Sequence, residues 1–159
     1  MNSNTKDVFL VCVNEKSHSE TALKFACAKA RQCDAKVRML YIINPMDYNT
    51  LFSVADVIKE DRLNDARKFL EETIEKASSW FDIVPSFNIR EGKVMDEIIE
   101  EITENSDIAL LVLGVAADGS SSKGKLLSQL TNEIGGLYNV PLLIIPGNVT
   151  EEQIMALNG

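Results

Sequence analysis

Six consecutive apolar residues, Ile108, Ala109, Leu110, Leu111, Val112 and Leu113, stop at Gly114, and this run constrains the chain more than any other feature. It is too short to cross a membrane and reads as a strand. A Gly/Ser-rich loop follows, then an amphipathic run carrying Leu126, Leu127, Leu130, Ile134 and Leu137, then a second apolar strand over 142–145. Strand, glycine loop, helix, strand is the order in which open α/β sheets set a phosphate-binding loop against a helix N-terminus.

The rest of the chain repeats the alternation. Residues 8–13 are continuously apolar and rich in β-branched side chains, as a central strand covered on both faces requires. Ser17 and Glu20 have capping-box spacing, and Ala22, Leu23, Ala26, Cys27, Ala30 and Cys33 give the next helix a face of small residues. A second strand over 37–43 stops at Asn44 and Pro45. Residues 54–81 are helical, with Leu63, Ala66, Leu70, Ile74, Ala77 and Phe81 on one stripe. The segment 46–53, with Tyr48, Leu51 and Phe52, reads equally as a lid, a dimer contact or a crossover. Pro85 interrupts a weaker strand over 83–90 and points to a sheet edge. Met95, Ile98, Ile99 and Ile102 follow helical spacing, with Asn105 as C-cap, while Thr150 and Gln153 predict a capping box for a short terminal helix. Five such alternations predict a single-domain, doubly wound, five-stranded parallel sheet with strand order 3-2-1-4-5 and helices on both faces. The domain is expected to fill 1–159, with about 148–159 as a C-terminal extension.

Charge and cysteine usage exclude several partners. A net charge of −8 opposes a nucleic-acid backbone or an anionic membrane, both of which need clustered Lys and Arg. Met1 to Asp7 is polar and the apolar run after it is short, so no secretory leader is expected. Three cysteines, Cys12, Cys27 and Cys33, form no CxxC pair and suit a reduced, cytoplasmic setting.

Residues 119–126 read Gly-Ser-Ser-Ser-Lys-Gly-Lys-Leu. Leu126 stands where a P-loop needs the hydroxyl that binds magnesium, so the phosphate motif fails at a position its chemistry requires. His18, the one histidine, is expected to be an exposed loop residue, and without a second His or a Cys pair zinc has no ligand set. Asp96, Glu97, Glu100 and Glu101 alternate with the apolar face of their helix and read as a solvated surface, and Trp80 as core. No positioned base is evident, so an enzyme is not expected, weak nucleotide hydrolysis aside.

The pattern as a whole resembles the universal stress protein family over nearly the full length. The resemblance is carried by Val13-Asn14 and Ser19-Glu20-Thr21-Ala22-Leu23, by Leu40-Tyr41-Ile42, by Glu91-Gly92, Ile98, Asp107 and Leu113-Gly114, and by Thr131 ten residues before Pro141. It implies a cytoplasmic stress-response module that pairs as a homodimer through Leu142, Leu143, Ile144 and Ile145. In members that bind ATP, it further implies a loop Gly-x-x-Gly, nine residues, then Gly-Ser or Gly-Thr. Gly114 matches the first glycine and Ala117 replaces the second. Anchoring on Thr131 puts Ser128 and Gln129 at the last two positions, whereas counting forward from Gly114 puts Leu127 and Ser128 there.

An adenine nucleotide, ATP with magnesium, is thus implied near Val13, Asn14, Ile42 and Leu113, with phosphates over Gly114, Ala117, Ser128 and Gln129. Gly119, Gly124 and their serines and lysines offer a substitute anion cradle. Two glycines are lost, and Asn14 stands where the family has an Asp, so ribose loses a charged acceptor. The alternative is a dimeric regulatory module that binds another protein and no nucleotide.

Overall fold

The computed structural model describes residues 5–45, 52–117 and 140–158. Five strands, β1 (Val8–Cys12), β2 (Lys36–Ile43), β3 (Ser86–Glu91), β4 (Ile108–Val115) and β5 (Leu142–Pro146), form one parallel sheet in the order β3-β2-β1-β4-β5. The helices are α1 (Ser17–Cys33), α2 (Phe52–Phe81), α3 (Val94–Glu104) and α4 (Glu151–Asn158). The expected order and architecture are therefore present. The helix expected around Leu126 to Leu137, Tyr48 and Leu51 of the 46–53 segment, and Gly119, Gly124, Ser128, Gln129 and Thr131 lie outside the described residues.

Successive side chains of a strand point to opposite faces, so β1 divides its apolar residues between two cores. Phe9 and Val11 join Val37, Met39 and Val112 beneath Ala22, Leu23, Ala26, Cys27 and Ala30 of α1, Leu70 and Ala77 of α2 and Ile154 of α4. Val8 and Leu10 join Leu40, Ile108, Leu111 and Leu113 beneath Ile98 and Ile102 of α3. The continuous hydrophobicity of 8–13 and 108–113 has this cause: both faces are covered.

Element ends differ from the sequence reading in instructive ways. β3 begins at Ser86, not at residue 83, since Pro85 has no N–H to give a ladder; β3 does lie at an edge. β4 runs through Gly114 to Val115, with Gly114 opposite Ile145. Gly114 is thus a strand residue, where the sequence suggested the start of a loop. No capping box forms at Ser17 and Glu20: the N-cap is Lys16, without a side-chain bond, and Glu20 pairs with Lys76 at 3.2 Å.

The box at Thr150 and Gln153 is present, the Thr150 N–H donating to Gln153 Oε1 at 2.9 Å and the Gln153 N–H to Thr150 Oγ1 at 3.1 Å. Asn105 does cap α3, but with extended backbone; its amide Nδ2 donates to the Glu101 carbonyl at 2.8 Å. At the other end of the sheet Arg38 donates to Asp107 at 3.0 Å, and this bond holds the Asp107 carboxyl below its usual range against the opposing effect of burial.

The larger correction concerns α3. Glu101, expected on a solvated surface, is fully buried. Its Oε1 accepts from Arg90 Nε at 2.6 Å and its Oε2 from Asn88 Nδ2 at 2.7 Å, both on β3. Burial works against the charge of Arg90, yet bonds to Glu101 and Glu104 hold its guanidinium above its ordinary range. A charge this deep persists only when paired and hydrogen-bonded, and both conditions are met.

Candidate functional site

The strand order reverses direction between β1 and β4, and the crevice outside the carboxyl ends of strands at such a point is where open α/β sheets bind ligands. A cleft of about 120 Å³ lies there, formed by the ends of β1, β2 and β4, the start of α1 and the start of α3. Its walls are mostly apolar: Val13, Leu40 and Ile42, Leu113 and Val115, and Val94 and Ile98 from α3. No Asp, Glu, Lys or Arg is among its described lining residues.

The polar groups come from the β1–α1 turn. The Asn14 backbone N–H donates to Ser19 Oγ at 2.9 Å, and Asn14 Oδ1 accepts the Lys16 N–H at 2.8 Å. The second bond is an Asx turn, which fixes the side chain and commits one acceptor site of the amide oxygen to the backbone. With Oδ1 so assigned, Nδ2 is the group that can donate to a ligand. The loop thus presents an amide donor and the first turn of a long helix, whose N–H groups favour partial negative charge.

His18 is buried in that first turn, 8% exposed, and not on an exposed loop as its sequence context suggested. Two glycines make the space. A Cβ at Gly114 would stand 2.3 Å from the His18 carbonyl oxygen, and one at Gly147 would stand 2.8 Å from the His18 Cβ. Gly114 has no positive φ, so close approach of α1 to β4, not backbone freedom, explains this glycine. The small face of α1 serves the same contact, Ala22 Cβ lying 3.2 Å from the position of that absent atom.

Cys12 also lines the cleft, and burial followed by the charge of Glu101 pushes its thiol up to about 12. Burial alone pushes Cys27 up to about 12. Both are therefore protonated and poorly nucleophilic at neutral pH. Among the described residues no group of three or more His, Cys, Asp or Glu side chains is placed to hold a metal.

Of the residues the sequence singled out, the cleft brings together Val13, Asn14, Ile42, Leu113 and Gly114. Ala117 is exposed two residues beyond β4 and does not line it. Leu142, Leu143, Ile144 and Ile145 form β5 at the opposite sheet edge from β3. Sequence reasoning missed Val94, Ile98, His18 and Ser19 as cleft residues. Ile98 stood on an apolar stripe, but a stripe does not say which strand ends it will cover. The two glycines beside His18 were the available signal for its burial.

An open parallel sheet in this strand order, with helices on both faces, defines an α/β protein of the doubly wound class. The model of the universal stress protein family matches residues 7–146, and the chain belongs to that family. Among solved structures it is similar to universal stress protein UspA from Lactobacillus plantarum, with TM-score 0.69, 16% identity and coverage of 89% of this chain and 98% of that one. It is also similar to a universal stress protein in complex with cAMP, with TM-score 0.61, 17% identity and coverage of 91% and 99%. A family member from Arabidopsis thaliana with AMP bound gives TM-score 0.60, 16% identity and coverage of 92% and 97%. At these identities the likeness is one of fold. No curated protein matches the chain in sequence.

Proposed function

We propose that this chain is a cytoplasmic, non-catalytic stress-response module that binds an adenine nucleotide, with the base in the cleft between β1 and β4. The observation that carries the reading is the cleft itself: mostly apolar, free of charged side chains among its described lining, and placed at the switch point. Such walls suit an uncharged heteroaromatic ring, and Asn14, one of the lining residues, has its Nδ2 to offer an acceptor on the ligand. At about 120 Å³ the cleft is smaller than the 300 Å³ or more usual for a whole drug-sized ligand, so it takes the base and leaves sugar and phosphates outside. The bound AMP and cAMP of two fold relatives are in keeping with that assignment.

Val13, Asn14, Ile42, Leu113 and Gly114 would surround the base, with phosphates toward Ala117, Gly119, Gly124, Ser128 and Gln129. The described cleft lining supplies no carboxylate, so magnesium would enter with the phosphates of ATP. Calorimetric titration with ATP and magnesium is expected to give a saturable heat, weakened about tenfold or more by Val94→Glu, which sets a charge against the base. No heat at millimolar nucleotide would sink the assignment and leave the fold untouched.

In the same proposal the domain spans the whole chain, with about 148–159 as its extension, and pairs as a homodimer through β5. An edge strand offers a row of unpaired backbone groups, and the half-buried Leu142, Leu143 and Ile144 give that edge an apolar character. Sedimentation is expected to show a dimer that Ile144→Asp converts to monomer; a monomeric wild type at micromolar concentration would refute this pairing.

A further inference from the structure

Away from the cleft, a broad open groove of about 820 Å³ runs over the outer face of α1. Ala28, Arg31 and Gln32 form its floor, the end of α2 at Trp80 and Phe81 one wall, and α4 the other. That second wall lies beyond residues 7–146, the part of the chain the family model matches. Ile154 anchors α4 in the core at 1% exposure, while Met155 and Leu157 on either side of it are 53% and 68% exposed. The apolar stripe of α4 is therefore wider than the surface it buries, and Met155 is the part of it that faces the groove. Trp80 is likewise not wholly core: it is half-buried on the groove wall, with Lys24 Nζ 4.8 Å from its ring centre.

The apolar lining is on the walls, at Trp80, Phe81 and Met155, and the polar groups beside it are unequal. Arg31 is anchored at the α2 side, its Nη1 donating to the Phe81 carbonyl at 2.9 Å, and keeps its positive charge there. Glu151 and Glu152 stand on the α4 wall with no ion-pair partner among the described residues. We propose that the groove seats an amphipathic helix of another protein, apolar toward Trp80 and Met155 and bearing Lys or Arg along the edge that meets Glu151 and Glu152. Helix-in-groove recognition uses this combination of apolar side chains and flanking charge. A second copy of a chain of net charge −8 would bring two such acidic walls together, and an anionic membrane would meet the same repulsion.

Trp80, the sole tryptophan, makes occupancy directly readable. The probes are a synthetic leucine helix carrying lysine on its polar face and the same peptide with glutamate in place of lysine. The lysine peptide is expected to shift Trp80 emission saturably and the glutamate peptide to leave it unchanged. Glu151→Lys with Glu152→Lys is expected to weaken the lysine peptide about tenfold or more, a change of about 1.4 kcal/mol. Glu71→Lys with Glu72→Lys, the same charge change on an exposed part of α2, should leave it as it is. An unchanged emission, equal binding of both peptides, or equal weakening by both charge reversals would overturn the proposal. So would self-association of the protein alone that Met155→Glu abolishes, since a second copy would then fill the groove.

Discussion

Replacing Arg90 with Met is expected to lower the unfolding free energy by about 3–5 kcal/mol, the usual cost of leaving one member of a buried ion pair behind. Glu101 decides the size of the effect. Its side chain is 1% exposed; Glu97, 3.6 Å from Arg90 Nη1 and 16% exposed, adds a longer and weaker contact, whereas Glu104 is 54% exposed and so contributes little. After the substitution Glu101 keeps only the Asn88 amide and the coulombic reach of more distant charges. A domain of this size has about 5–15 kcal/mol in total, so the loss is a large share of what holds it folded. Urea unfolding at pH 7 measures it. The double variant Arg90→Met with Glu101→Met should recover most of the loss, because two apolar side chains of similar length remove the stranded charge together with its partner. A single-variant effect below about 1 kcal/mol would show that water reaches Glu101.

Gly114→Ala is the second large expectation. The added Cβ would sit 2.3 Å from the carbonyl oxygen of His18 and 2.8 Å from its carbonyl carbon. These are backbone atoms of the first turn of α1 and cannot rotate aside, so the helix must shift on the sheet. Overpacking of this kind costs about 1–3 kcal/mol and occasionally more. Urea unfolding should show it, and Ala22→Gly should not rescue it, because the nearest obstacle is backbone and not the Ala22 methyl. A neutral Gly114→Ala would mean that α1 rides further from β4 than described. One practical consequence concerns ligand work: loss of binding in a Gly114 variant reports the seating of α1 as much as any phosphate contact. Val94→Glu acts on the cleft from α3 and avoids that ambiguity.

The contrast between these two residues shows where the sequence was legible. Continuous apolar runs at 8–13 and 108–113 announced strands covered on both faces, and strict alternation with right-handed crossovers led to the order 3-2-1-4-5. In the candidate site, residues close in sequence to strand ends were found: Val13 and Asn14 after β1, Ile42 in β2, Leu113 and Gly114 in β4. Val94 and Ile98 were not, because α3 reaches the cleft only through its packing across Leu10, Leu40 and Leu111. Glu101 was misread for a related reason. It lies three residues after Ile98, on the same stripe, and a carboxylate there reads as surface until Asn88 and Arg90 of the edge strand come against it.

By itself, then, the sequence determined the parallel α/β architecture, the strand order, the family resemblance and the chain positions around which a site could form. The architecture follows from periodicity, a property of neighbouring residues, and the resemblance and the site positions it implies from short motifs in their order along the chain. Tertiary structure decided what the key residues do there: Gly114 clears a path for the backbone of α1, His18 is buried, Glu101 is paired at depth, and α4 raises a wall beside Trp80. Each depends on which distant backbone or charge arrives within a few ångströms, and no local pattern carries that information.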